Sequence, residues 1–305
     1  MNKFDLHTHT NHSDGRQSVG ELLERAEHFG FDVISITDHQ TTSAYGELKD
    51  PNIRKLFSGK IVTGIELLFE QDGIVNEVLG YGIDTDKMAG AEFLGEQETE
   101  RRELAFLEGL YNQTSSIGFD LGNLDNMKAE LLATKTIARE LIVRATKRPE
   151  NAHVFKSLGI NSHEDLKKFF IREIQSPAGK HHVPYNDDSI ETVSRAIRDA
   201  GGLVFMAHIF RANGDMQSPT LDERTTDLLD YAVKNKLIDG IEVYYEYFTA
   251  EQKRFLEKYC EQHNLLMSGG SDFHGDTHPG QSRFGMTDLV PETAITPWLN
   301  HLNYI

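Results

Sequence analysis

The 305-residue sequence has one cysteine, Cys260. A single thiol forms no internal disulfide and supplies no thiolate metal cluster. Basic residues are also short: 31 Lys and Arg against 48 Asp and Glu leave a net charge of −17. That charge disfavours a large nucleic-acid surface or an anionic membrane. A small phosphorylated substrate stays compatible with it, because bound divalent cations reverse the sign locally. Long hydrophobic runs are missing. Residues 1–20 are polar, with no signal-peptide core, and no segment approaches a membrane span. A reducing, cytoplasmic setting is the expectation. Short-period repeats and low-complexity tracts are absent, and nothing specifies an oligomeric state.

What is present starts with Asp5-Leu6-His7-Thr8-His9-Thr10-Asn11-His12-Ser13-Asp14-Gly15. Phe4–His7 reads as a short first strand. Side chains alternate across a strand, so His7 and His9 point the same way. Two converging imidazoles make a bidentate metal site; alone, they are equally well ordinary surface histidines. Later strand patterns decide between the two. The run 32–37 ends in Asp38-His39, 60–65 ends in Glu66, 202–207 ends in His208, and 265–270 leads through Ser271 to Asp272-Phe273-His274. Continuous apolar runs predict parallel strands covered on both faces. Helices intervene: Ser18-Val19-Gly20-Glu21 is a capping box, and Gly30 closes the helix that follows. Ser189 opens another that ends before Gly201-Gly202. Ligand-type residues at the C-terminal ends of successive parallel strands are where a β/α barrel builds its site.

From about Met88 to Val183 strand signals are scarce. Helical patterns cover 92–111 and 125–145, and Ser162 caps a third. The expected organisation is a barrel from 1–87 and 184–305. Residues 88–183 are expected to form a helical insertion covering its mouth, the alternative being extra packing with no contact to substrate.

The candidate ligands are His7, His9, Asp14, His39, Glu66, His208, Asp272 and His274. This nitrogen–oxygen set without sulfur suits Mn, Fe or Zn and is too nitrogen-rich for Mg or Ca. Eight ligands exceed the need of one ion, so two or three ions are implied, with Glu66 as the natural bridging carboxylate. Such a cluster lowers the pKa of bound water to about 7 and clamps the oxygens of an in-line displacement. The reaction class is metal-assisted hydrolysis, with a phosphate ester as best match.

These blocks resemble the motifs of the PHP (polymerase and histidinol phosphatase) superfamily, in the same order. They are Asp5-Leu6-His7-Thr8-His9 with Ser13-Asp14-Gly15, Ile36-Thr37-Asp38-His39, Gly64-Ile65-Glu66, Ala207-His208 and Gly270-Ser271-Asp272-Phe273-His274. The resemblance implies a distorted (β/α)7 TIM-like barrel with a trinuclear site. By motif, His7, His9, Glu66 and Asp272 would hold one ion, Glu66 and His208 a second, and Asp14, His39 and His274 a third. A hydroxide bridging the ions, held by Glu66, Asp272 and His208, would be the nucleophile. One position departs: Glu77 stands where members usually carry His. Glu77 either ligates as a harder donor or turns away and leaves the second ion weak.

The long insertion resembles the subgroup acting on nucleoside 3′,5′-bisphosphates and short 5′-phosphorylated RNA. That subgroup's Gly-Arg-x-His block reads Ala133-Thr134-Lys135-Thr136 here. Arg211 and Arg283 offer bidentate donors to phosphate. Arg101, Arg102 and Lys180 are candidate lid contacts, although helix ion pairs explain the two arginines equally well. His181, His182 and His278 are candidate general acids, and His12 shapes the first loop. Asp38 would orient a ligand imidazole, and Glu242 offers hydrogen bonds behind the ligands. Rival expectations are a histidinol-phosphate or sugar-phosphate phosphatase, an amidohydrolase-type hydrolase, and a non-catalytic metal-binding module.

Overall fold

Seven strands form one sheet in chain order: β1 Phe4–Thr8, β2 Val33–Ile36, β3 Lys60–Gln71, β4 Ile74–Tyr81, β5 Leu203–Met206, β6 Gly240–Tyr245 and β7 Leu266–Gly270. The computed structural model describes residues 3–71, 74–131, 144–175, 179–183, 188–211, 218–275, 290–302 and 304–305. The sheet curls towards closure: Thr8 bridges Phe273 in parallel, His9 N–H donates to Phe273 O at 2.9 Å, and Asp272 N–H donates to His7 O at 2.8 Å. The result is a nearly closed, TIM-like seven-stranded barrel. β1, β2 and β6 are buried along their length, as the continuous apolar runs require.

One strand corrects the all-parallel expectation. β4 is antiparallel to both β3 and β5. β3 runs on past Glu66 to Gln71, and the chain returns as the other arm of a hairpin, with Glu66 opposite Leu79 and Leu68 opposite Glu77. The reversal brings the start of β4 to the end of the barrel where the other strands finish. Directly opposed residues share a face, so Glu77 is the diagonal same-face neighbour of Glu66.

The helices between strands start and stop where their caps lie. Ser18 and Glu21 complete a capping box on the Val19–Phe29 helix, which Gly30 ends at φ 68°. Thr249 and Gln252 do the same for Ala250–His263, and Ser189 caps Ile190–Asp199. Apolar faces of these helices pack on the strands. Val193 and Ile197 join Leu79 and Val204 in one cluster, and Leu22 and Leu23 join Ile34 and Ile36 in another.

The chain divides into two compact units, residues 1–94 with 188–305 and residues 95–187. The second unit has its own core around Leu107, Leu110, Phe119, Leu166 and Phe170. Its helices include Glu96–Ile117, Leu124–Leu131, Ala152–Leu158 and His163–Phe169, the last capped by Ser162. The first begins four residues later than the expected 92–111 helix, because Glu92–Leu94 forms a separate 3-10 turn. Most of the expected 125–145 helix lies outside the described residues. No helix among the described residues is long and apolar enough to cross a membrane.

Candidate metal centre

β1 delivers its histidines as alternation predicts. His7 and His9 are fully buried, and their Nε2 atoms lie 3.1 Å apart. Glu66 Oε2 is 3.2 Å from each of these nitrogens, and Asp272 Oδ1 is 3.4 Å from His7 Nε2 and 3.2 Å from His9 Nε2. These four donor atoms lie within 4.8 Å of one another, close enough to face a single ion.

Two further groups adjoin this one. His208 Nε2 lies 3.1 Å from Glu66 Oε1 and 3.2 Å from Glu77 Oε2. Asp14 Oδ1 lies 3.1 Å from His274 Nε2, 3.8 Å from His39 Nε2 and 3.9 Å from His9 Nδ1. The other His39 nitrogen, Nδ1, approaches Glu66 Oε2 at 3.2 Å and Glu77 Oε1 at 3.6 Å. Glu66 thus stands among all three groups. The eight ligand types expected from sequence converge here, and Glu77 turns inward with them.

The electrostatics of the cluster suit a bound cation. Burial opposes charge on His9, but the Asp272 and Glu66 carboxylates outweigh it and lift the ring to about 10. His7 rises for the same reason against the same burial, under Glu66, Glu242 and Asp272. Burial works to raise Glu66 and Asp272, yet the surrounding imidazoles hold both below the usual carboxylate range. Burial pushes Glu77 up, helped by the neighbouring Glu66 charge. A site that draws protons this strongly onto imidazoles also draws metal cations, which displace those protons. Glu66 Oε2, His9 Nδ1 and His39 Nδ1, which face the cluster, are buried without a hydrogen-bond partner. Buried polar atoms are normally satisfied, so unsatisfied ligand atoms in a nitrogen–oxygen donor set fit a metal.

Outer groups fix the ligands. Glu242 accepts a hydrogen bond from His7 Nδ1 at 2.9 Å, leaving Nε2 free to ligate, and another from the His208 backbone N–H at 2.9 Å. His274 Nδ1 donates to Asp272 O at 2.8 Å. Asp272 itself has φ 54°, a left-handed conformation uncommon outside glycine, held by its backbone hydrogen bond to His7. Gly270 lets β7 approach this closely: a Cβ there would lie 2.3 Å from His7 Cβ.

Asp38 corrects an expectation. It accepts from Thr10 N–H at 2.7 Å, Thr10 Oγ1 at 2.6 Å and Ser13 Oγ at 2.6 Å. It therefore ties down the loop that carries Asp14 rather than orienting an imidazole, because free loop donors lie within its reach. His12 pairs with Glu47 at 2.6 Å. Arg211 reaches Asp272 Oδ2 at 2.6 Å. Arg101 and Arg102 both bind Glu98 on their own helix in the second unit. In that unit Lys180 is exposed, His181 meets Gln113 at 2.9 Å, and His182 Nδ1 donates to Ile174 O at 3.2 Å. His278 and Arg283 lie outside the described residues.

Two buried site residues went unnoticed in the sequence. Asp5, two before His7 on the same strand face, accepts from Ser271 N–H at 2.9 Å and Oγ at 2.6 Å, and burial pushes it up to about 7. Strand period could have found it. Tyr245 donates to Asp272 Oδ2 at 3.0 Å. It lies an odd three residues after Glu242, and a register shift between Glu242 and Tyr244 re-aims it.

Known proteins agree with this geometry. The 5′-3′ exoribonuclease Rnm of Escherichia coli (strain K12) is 25% identical over 272 residues, 89% of this chain and 85% of that protein. A 3′,5′-nucleoside bisphosphate phosphatase of Chromobacterium violaceum is 25% identical over 291 residues, covering 95% and 94%. A crystal structure from Bifidobacterium adolescentis, described as a candidate metal-dependent phosphoesterase, shares the fold. Its TM-score is 0.62 at 23% identity, over 99% of this chain and 97% of that one. The PHP domain pattern matches residues 5–274, from the first residue of the His7–His9 motif to the last ligand-type histidine, and the chain belongs to the PHP domain family.

Proposed function

We propose that this PHP enzyme, a metal-dependent phosphoesterase, hydrolyses a phosphate monoester on a nucleotide or short 5′-phosphorylated oligonucleotide. The observation that carries the reading is the buried cluster of His7, His9, Glu66 and Asp272, adjoined at Glu66 by His208 and Glu77 and at His9 by Asp14, His39 and His274. Two to three ions, of Mn, Fe or Zn, would be held by the first group, by Glu66, Glu77 and His208, and by Asp14, His39 and His274. Divalent ions there neutralise phosphate oxygens and lower the pKa of water.

The side chains do the rest. Glu66 keeps the three groups in one geometry. Glu242 holds His7 in the tautomer that presents Nε2. The Arg211 side chain is half-exposed, and its planar fork suits the oxygens of a substrate phosphate. Relatives named for nucleoside bisphosphates and RNA support a nucleotide, and one named phosphoribosyl 1,2-cyclic phosphate 1,2-diphosphodiesterase keeps sugar phosphates in the test.

The test is inorganic phosphate release with Mn²⁺ across 3′,5′-bisphosphates, 5′-phosphorylated oligonucleotides, histidinol phosphate and sugar phosphates. Turnover of the first two, abolished by EDTA and by Asp14→Ala, is the expected result. Turnover of sugar phosphates alone rejects the substrate class. Metal retained with no turnover of any ester leaves a binding module.

A further inference from the structure

Asp272 offers its two oxygens to different neighbours. Oδ1 faces the two Nε2 atoms of His7 and His9. Oδ2 faces away from them, into a closed ring of hydrogen bonds. Tyr245 Oη donates to Oδ2 at 3.0 Å, Arg211 Nη1 donates to Oδ2 at 2.6 Å, and the same Nη1 donates to Tyr245 Oη at 3.0 Å.

The two partners differ in mobility. Tyr245 is buried, its ring 5.4 Å from that of His208 and 5.0 Å from that of Phe248. It therefore touches a ligand of the first group through its hydroxyl and a ligand of the second through its ring. Arg211 closes the short turn after His208, and about half of its side chain faces solvent. A rigid aromatic and a long, half-exposed cation thus share one carboxylate oxygen.

We propose that Tyr245 is a positioning residue that keeps Asp272 ligating through Oδ1 alone, while Arg211 is free to leave Oδ2 for a substrate phosphate. A carboxylate with both oxygens unconstrained rotates and chelates through either. With Oδ2 bound to a buried phenol, Oδ1 stays aimed at the His7–His9 pair when Arg211 swings away. Arg211 exchanges one anion for another, so its charge never goes uncompensated in a half-buried place. The proposal rests on Asp272 being a metal ligand.

Tyr245→Phe and Arg211→Met separate the two roles in the full-length chain. Zn²⁺ affinity is read by competition with a chromogenic chelator, ion count by elemental analysis, and kcat and KM on the best phosphate ester. Tyr245→Phe removes one oxygen and keeps the ring contacts. It is expected to weaken one ion per chain by about tenfold, the usual effect of losing a group that orients a ligand, with kcat falling more than KM rises. Arg211→Met is expected to leave ion affinity within about twofold, with KM raised as a phosphate donor is lost.

Equal affinity and ion count in wild type and Tyr245→Phe overturn the proposal while leaving the metal site intact. So does an Arg211→Met enzyme that loses its ion as readily as Tyr245→Phe. A wild-type chain that binds no ion overturns the reading of Asp272 and this inference together. A purely structural Tyr245 lowers the melting temperature of the metal-free and loaded forms alike and leaves affinity unmoved.

Discussion

Glu77 brings a carboxylate oxygen within 3.2 Å of His208 Nε2 and shares that nitrogen with Glu66. Hard oxygen donors suit Mn or Fe better than Zn. Glu77→Ala is expected to remove one ion per chain on elemental analysis, the remaining ions being retained by His7, His9, Asp272 and the Asp14 group. An unchanged ion count means that Glu77 does not ligate. A second residue-scale expectation concerns Cys260. Burial pushes its thiol up to about 12, so almost none is thiolate at pH 8. A disulfide reagent such as DTNB is expected to label it only after unfolding. Prompt labelling of the native protein would contradict the packing around it. At this scale the residues that gather in the cluster were legible in the sequence because metal chemistry restricts the residue types to look for. The duty of Asp38 was not, because it depends on which donors the loop brings within reach.

Elements carry two different costs. Thr249 caps the Ala250–His263 helix from the barrel's outer layer. Thr249→Ala is expected to cost about 1 kcal/mol in denaturant melts and to leave metal binding intact. Gly270→Ala puts a methyl against the backbone and Cβ of His7. Overpacking of this kind costs typically about 1–3 kcal/mol, and here it also displaces a ligand, so ion affinity is expected to fall with stability. A Gly270→Ala chain that binds ions normally would show that β1 and β7 have slack. Strands and caps were readable from apolar runs and cap residues. The reversal of β4 left one sign, an Asp72-Gly73 pair of the type that favours two-residue hairpins. The register shift in β6 left none, which is why Tyr245 escaped notice.

At the scale of the molecule, pH and metal act on one balance. His9 rises from 6.5 to about 10 in the folded chain. A raised histidine contributes stability that is complete below about pH 6.5 and is lost as pH climbs through about 10. Glu66 and Asp272 are lowered, so their contribution is present above the ordinary carboxylate range and is lost as pH falls through their folded values. Asp5, raised to about 7, and Glu77, also raised, contribute stability that is lost as pH climbs above the ordinary carboxylate range, so the chelated protein is expected to melt highest near about pH 4.5 and to weaken towards about pH 9.5. Loading with Mn²⁺ replaces the protons and binds better as pH rises, so the alkaline decline is expected to vanish. Parallel melting curves for chelated and loaded protein would show that the ions do not occupy this cluster.

Sequence alone determined which His, Asp and Glu residues stand at the strand ends and the existence of a helical unit, since residue type and local period are properties of the chain itself. Only the tertiary structure decided that Glu77 joins Glu66, that Asp38 serves a loop, and that Tyr245 reaches Asp272. Each of these depends on strand direction, register or a contact between residues far apart in the chain, and local pattern holds no record of such distances.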